Sequence, residues 1–386
     1  MRHTWTDKAV HRSRLRGCLL AGGLGDALGN PVVSLSRHQI EAKHGPRGIT
    51  EPVTDADGVA VVTSGTQMSL FTAEGFRNGY VQVSERGIDG AMSALVREAY
   101  LRWLDTQDHP APPPVLSADH RVGRLRLEPW LYVRRTPGPE CLSGLRSGQV
   151  VKPFAEPSGQ PGPVNPGSKG YAAVVRSAPF GFLGDAPYAF RLAASCAQLT
   201  HGHPTGYYAA GAFAAIIAHL VAGESLDGAV LLALRELARH PGHEETAEAL
   251  RHALDLAAEG EPTAEKVERL GTGRIAEEAL AIGVYAALVP IGSPRVPTGS
   301  TQIPAAGAQV PIGSLQPEDD ITARLCLSVN HSGAGDSTGS LCGNLLGARH
   351  GDVNLPWHWL SRLEGRAVIA QVADDFATET SQADRR

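Results

Sequence analysis

The sequence predicts an all-α protein folded as a single domain, and three observations carry that prediction. Apolar residues recur three or four apart through most of the chain, and the alternating pattern of a half-buried strand is nearly absent. The glycine-rich segments near the two ends also share one spacing, as two helices that pack together would. With 386 residues and 42% apolar content, the chain can bury a sizeable core.

In chain order, the first such segment is GCLLAGGLGDALGNP, where Gly17, Ala21, Gly25 and Gly29 line one helical face with almost no side chain. Glycine costs about 1 kcal/mol relative to alanine inside a helix, so a stripe of this kind implies close approach by another backbone or by a ligand. Close helix packing is the simpler of the two readings. The segment TSGTQMSLFTAEGF opens the next helix, with Ser64 as N-cap, Gln67 completing a capping box, and Met68, Leu70 and Phe71 facing inward. Further helices are expected over residues 90–106, 206–223, 227–240 and 245–260. In VNHSGAGDSTGSLCGNLLGARHG, Asp336, Ser337 and Thr338 start a last glycine-striped helix through Gly339, Gly343 and Gly347, with Leu341 and Leu345 buried. Three Pro/Gly-rich insertions interrupt the pattern, at 106–119, 149–168 and 289–320. The last carries VPIGS twice, a local duplication too short to be a solenoid repeat. The helical domain is expected to span 13–378, with flexible termini at 1–12 and 379–386.

A net charge of -5 argues against a nucleic-acid partner, since phosphate affinity needs clustered Lys and Arg. The alternating Arg12, Arg14 and Arg16 read as a solvated helix entrance. The N-terminus lacks a signal pattern and no apolar run reaches the roughly 18 residues of a membrane span, so no membrane partner and a cytoplasmic location are expected. Five cysteines without CxxC spacing suggest neither a disulfide framework nor a thiolate zinc site. His201 and His203 lack a third ligand nearby and read as a polar turn between helices.

Taken in order, GCLLAGGLGDALGNP, TSGTQMSLFTAEG, LEPW, CLSGL, SKGYAAVVRSAPFG, LTHGHP and NHSGAGDSTGSLCGNLLGA resemble the ADP-ribosylglycohydrolase family. The resemblance implies an orthogonal helical bundle with one central cleft, in which two Mg2+ ions help cleave the bond joining ADP-ribose to an acceptor. The family pattern has Thr-Asp-Asp-Thr where this chain has Thr63, Ser64, Gly65 and Thr66. Its C-terminal motif places Ala334 at the first metal-binding acid and keeps Asp336 and the hydroxyl of Ser337. Val33 stands where the family has a cleft-lining glutamate. Two Mg2+ bring four positive charges and need carboxylate oxygens to offset them. On this count only Asp336 remains, so the resemblance leaves a remnant site at Thr63, Asp336 and Ser337 for no cofactor or a single weakly bound Mg2+. Asp55 and Asp57 are the nearest acids that could fold back to substitute.

The ligand loop keeps Ser168, Lys169, Gly170 and Arg176, while Ala172, Ala173 and Val175 replace the family's smaller or longer residues. His201 matches the family's Thr-His-Gly-His-Pro turn. The expected partner is therefore an ADP-ribose-like small molecule or an ADP-ribosylated carrier, held by Ser168, Lys169, Gly170, Tyr171, Arg176 and His201. Three functions follow: binding of such a nucleotide with two-metal hydrolysis lost, cleavage of another N-glycoside without metals, or Mg2+-dependent hydrolysis with substitute ligands. For the second, Asp336 with His201 or His331 would supply acid and base.

Overall fold

In a computed structural model of the protein, residues 5–86, 92–113, 123–149, 157–291 and 317–383 are described, and they are helical with short irregular connections. The helices are α1 (Trp5–Gly29), α2 (Arg37–His44), α3 (Ser64–Arg86), α4 (Met92–Asp108), α5 (Pro139–Arg146), α6 (Ala172–Val175), α7 (Ala186–Ala197), α8 (Pro204–Ala222), α9 (Leu226–Leu237), α10 (Glu244–Ala258), α11 (Ala264–Arg269), α12 (Ala276–Leu288), α13 (Pro317–Val329), α14 (Gly335–His350), α15 (Trp357–Leu360) and α16 (Arg366–Ala383). No strand occurs among the described residues; two isolated bridges, Ala60 to Leu363 and Gly170 to Ile275, are the only extended pairings there. The all-α expectation holds.

The centre is α8. Its apolar residues run all round the helix, so it must be enclosed on every side, and α7, α9, α12 and α14 enclose it. This corrects one sequence reading: Pro204–Ala222 is long and apolar enough to cross a membrane by composition, yet 89% of it is buried inside the protein. It serves as the core helix. Two Pro/Gly-rich stretches are also shorter than expected, because α4 continues to Asp108 and residues 317–320 form the first turn of α13. Residues 114–119, 150–156 and 292–316 of the three insertions lie outside the described residues.

The glycine stripes resolve as helix packing. An added Cβ at Gly17, Gly25 or Gly29 would be driven into the backbone of Gly347, Gly339 or Gly335, and one at Gly343 into that of Ala21. The helices α1 and α14 therefore lie antiparallel, backbone on backbone, along four successive turns. Asn344 completes the seam by donating to the Cys18 carbonyl at 2.8 Å. The antiparallel register places the C-terminal turn of α1 beside the N-terminal turn of α14.

Helix also extends past the expected 13–378 limits on both sides, from Trp5 to Ala383. The arginines near the start also tie α1 to its neighbours: Arg12 is exposed, as a solvated entrance requires, while Arg14 and Arg16 are half-buried. Arg12 donates twice to Asp374 at 2.7 Å, Arg14 donates to the Val221 carbonyl, and Arg16 pairs with Asp352. Cys18, Cys141, Cys196 and Cys342 are buried free thiols and Cys326 is half-buried.

Candidate functional site

Two helix N-termini converge on one cleft. The start of α3 and the start of α14 meet there, with the last turns of α1 on one side and α6 on the other. Its lining includes Asp26, Thr63, Gly65, Tyr171, Asp336 and Ser337, with Cys141 and Val175 behind them. The enclosed space is about 20 Å3, room for about one water molecule.

Asp26 is the residue that sequence reasoning missed. It sits between Gly25 and Ala27 at the end of the glycine seam and is 1% exposed. Its Oδ2 accepts from the Thr63 amide at 2.9 Å, from the Thr66 amide at 3.3 Å and from the Thr66 hydroxyl. The start of α3 is thus capped from a different helix. This replaces the expected capping box: Ser64 Oγ donates to the Thr136 carbonyl, while the Gln67 amide group turns to Val133, Trp103 and Gln107. Burial, then the charge of nearby Asp336, pushes the Asp26 carboxyl up to about 7, against the pull of its threonine donors. Burial also raises Asp336, whose Oδ1 accepts from the amide and hydroxyl of Ser337. The cleft accordingly holds two coupled carboxyls, not one. The sequence signal was available: a lone acid inside a Gly/Ala/Leu helix segment has to be paired or hydrogen-bonded to be buried.

The expected metal residues Thr63, Asp336 and Ser337 do come together here, but they do not fit a two-Mg2+ centre. Two carboxylates supply at most two negative charges against four, and Asp26 spends Oδ2 on the cap of α3. Ala334 is buried at the N-cap of α14 and Val33 is absent from the lining. At Gly65 an added Cβ would lie 3.0 Å from Val175 Cγ1, so the valine occupies the space of a side chain at that position. Asp55 and Asp57 do not substitute. They are exposed, and Asp55 Oδ1 accepts from the amides of Asp57 and Val59 in a local turn. Among the described residues no group of three His, Cys, Asp or Glu converges to hold a metal ion.

Of the expected ligand residues, only Tyr171 reaches this cleft. The charge of Asp336, followed by burial, holds its phenol well above the ordinary tyrosine range. Lys169 points elsewhere: its Nζ donates to Glu277 at 2.6 Å and Glu245 at 2.8 Å. Gly170 pairs with Ile275, and the Ser168 carbonyl accepts from the His203 amide. The loop is clasped between the N-termini of α8, α10 and α12. Arg176 is 1% exposed and lies under the cleft, donating to Thr200 Oγ1 at 2.6 Å, approaching Cys141 Sγ at 3.6 Å and stacking 4.5 Å from the Tyr100 ring centroid. It is a buried brace, not a contact open to a phosphate.

The histidines are also displaced from the expected roles. His201 is fully buried, its Nδ1 bonded to Thr200 Oγ1 at 2.7 Å, and burial followed by the Arg176 charge lowers it to about 3. Its Nε2 has no partner among the described residues and faces Gly170, where an added Cβ would sit 3.3 Å away. This ring, held toward its neutral form, is not part of the lining that contains Asp336. His331 is fully buried too, against Thr338 at 2.9 Å. His203 caps α8 by accepting from the Thr205 amide.

Comparison with known proteins agrees with this architecture. No curated protein matches the sequence significantly. A solved structure described as an ADP-ribosylglycohydrolase-related protein complex superposes with a TM-score of 0.57 over 96% of this chain and 99% of its own, at 20% identity, a likeness of fold. The sequence model of the ADP-ribosylglycohydrolase family matches residues 7–386, nearly the whole chain, and with the seven ordered motifs and the helical fold on the page, the protein belongs to the ADP-ribosylglycohydrolase family.

Proposed function

We propose that this protein binds an ADP-ribose-like small molecule, free or on an ADP-ribosylated carrier, and has lost the family's two-Mg2+ hydrolysis. The observation that carries the reading is the composition of the cleft: Asp26 and Asp336 with Thr63, Ser64 and Ser337, and neutral residues wherever further acids would be needed. Carboxylates beside hydroxyls suit a sugar, because each carboxylate oxygen accepts from a ribose hydroxyl. The ribosyl end is therefore the part of the ligand that this cleft would take. Pyrophosphate is less well served, since Lys169 is already paired and Arg176 is buried. The exposed Arg274, close enough to Asp336 to act on its charge, is the cation left at that side. At most one weakly held Mg2+ would share the cleft, through Asp336, Ser337 and Thr63.

One observation favours a second reading, cleavage of an N-glycoside without metal. Two buried carboxyls facing one cleft can divide the roles of acid and base between them. Asp26 and Asp336 take that place here, in the stead of the buried His201 and His331. Calorimetry with ADP-ribose, with and without Mg2+, tests the first reading. Binding of equal strength in both conditions and no release of ADP-ribose from an ADP-ribosylated peptide are expected; binding that requires Mg2+ would contradict it.

A further inference from the structure

We propose that Tyr171 is a built-in stopper, a side chain that must swing out of the cleft before any glycosyl ligand can reach Asp26 and Asp336. The proposal rests on the reading that the ligand enters this cleft, and the geometry adds what the cleft alone does not say. Tyr171 lines the cleft together with both carboxyls and with Ser337 at the start of α14. With the ring in place the free space is about 20 Å3, whereas pockets for small organic ligands run from about 300 Å3 upward. A ribose cannot enter beside it.

The surroundings confine the movement to this one side chain. The backbone of the preceding residues is pinned by the Ser168 carbonyl to His203, by the Lys169 carbonyl to the Ala276 amide and by the Gly170 bridge to Ile275. The Lys169 side chain is held by two glutamates. Tyr171 is half-buried, while Ala173, Val174 and Val175 that follow it are packed in the core. A rotation of the ring thus opens the cleft without unfolding the loop. Behind the ring, Cys141 lines the same space and is 0% exposed, which provides a readout that needs no ligand.

The test is the rate at which methyl methanethiosulfonate modifies Cys141, followed by peptide mass spectrometry, with fully buried Cys18 in α1 as internal reference. Tyr171→Ala should raise the Cys141 rate at least about tenfold and leave Cys18 unchanged, since labelling of a buried thiol follows local opening. Tyr171→Phe keeps the ring, so its Cys141 rate should stay near that of the wild type. No acceleration by Tyr171→Ala, equal acceleration of Cys141 and Cys18, or an acceleration by Tyr171→Phe as large as that by Tyr171→Ala would overturn the proposal. Calorimetry with ADP-ribose separates it from the functional reading. Tighter binding by Tyr171→Ala supports both, whereas faster Cys141 labelling with no ADP-ribose binding by either protein keeps the stopper and removes the nucleotide.

Discussion

Gly25 of α1 lies backbone to backbone against Gly339 of α14, and this contact sets Asp26 beside Asp336. Neither acid could reach the other if the helices stood at the 8–10 Å of an ordinary helix pair. The seam is thus the scaffold of the candidate site as well as part of the core. Gly25→Ala should destabilise the protein by roughly 3 kcal/mol or more, the upper end of overpacking costs, because backbone cannot yield as a side chain does. Gly167→Ala, at a position with open space around it, should change stability by less than about 0.5 kcal/mol. Urea denaturation of both variants checks the contrast.

The raised Asp26 carboxyl makes stability depend on pH. Its folded value lies above its unfolded one, so between roughly pH 4 and 7 the folded state binds more protons, and this contribution is lost as pH rises. Asp26→Asn keeps an acceptor for the Thr63 and Thr66 amides without the charge. The variant should be more stable than wild type at pH 8, by roughly 1–4 kcal/mol, and show a flatter stability profile from pH 5 to 8. Denaturant midpoints at the two pH values decide it.

Lys169 is expected to matter for stability more than for phosphate. Removing it leaves Glu277 largely buried with its partner gone, while Glu245 is exposed enough to be solvated. Lys169→Met should cost about 1–3 kcal/mol, and Glu277→Gln in the same chain should recover part of that loss. A double-mutant cycle in urea measures the coupling; an additive result would mean that the pair is not formed in solution.

Restoring metal affinity needs more than acids. Ser64→Asp with Gly65→Asp and Ala334→Asp should raise Mg2+ affinity, but the new side chain at position 65 meets Val175. Adding Val175→Ala to the triple variant should therefore strengthen Mg2+ binding further and recover thermal stability. Mg2+ titration calorimetry and thermal melts of the triple and quadruple variants test this.

Much of the fold was legible because it rests on local patterns. The helical periodicity located α4, α8, α9 and α10, and the spacing of Gly17, Ala21, Gly25 and Gly29 pointed to close packing before a partner was visible. The neutral residues at Ser64, Gly65 and Ala334 were equally plain. What the sequence concealed were relations made only by tertiary structure. Asp26 stands in a helix pattern and becomes a cleft residue through α14 and the start of α3. Lys169 resembles a phosphate ligand until Glu245 and Glu277, 76 and 108 residues away, fold against it. His201 resembles a proton carrier until its burial against Arg176 is known. Single-residue chemistry was readable, whereas whether a charge was free or already paired was not.

The most direct test of the central claim is the number of Mg2+ ions the wild-type protein retains with ADP-ribose present, measured by equilibrium dialysis and metal analysis. Two carboxyls, both held above the ordinary carboxylate range by burial, predict at most one weakly bound ion per chain. Two tightly held ions per chain would contradict the account and restore a two-metal hydrolase.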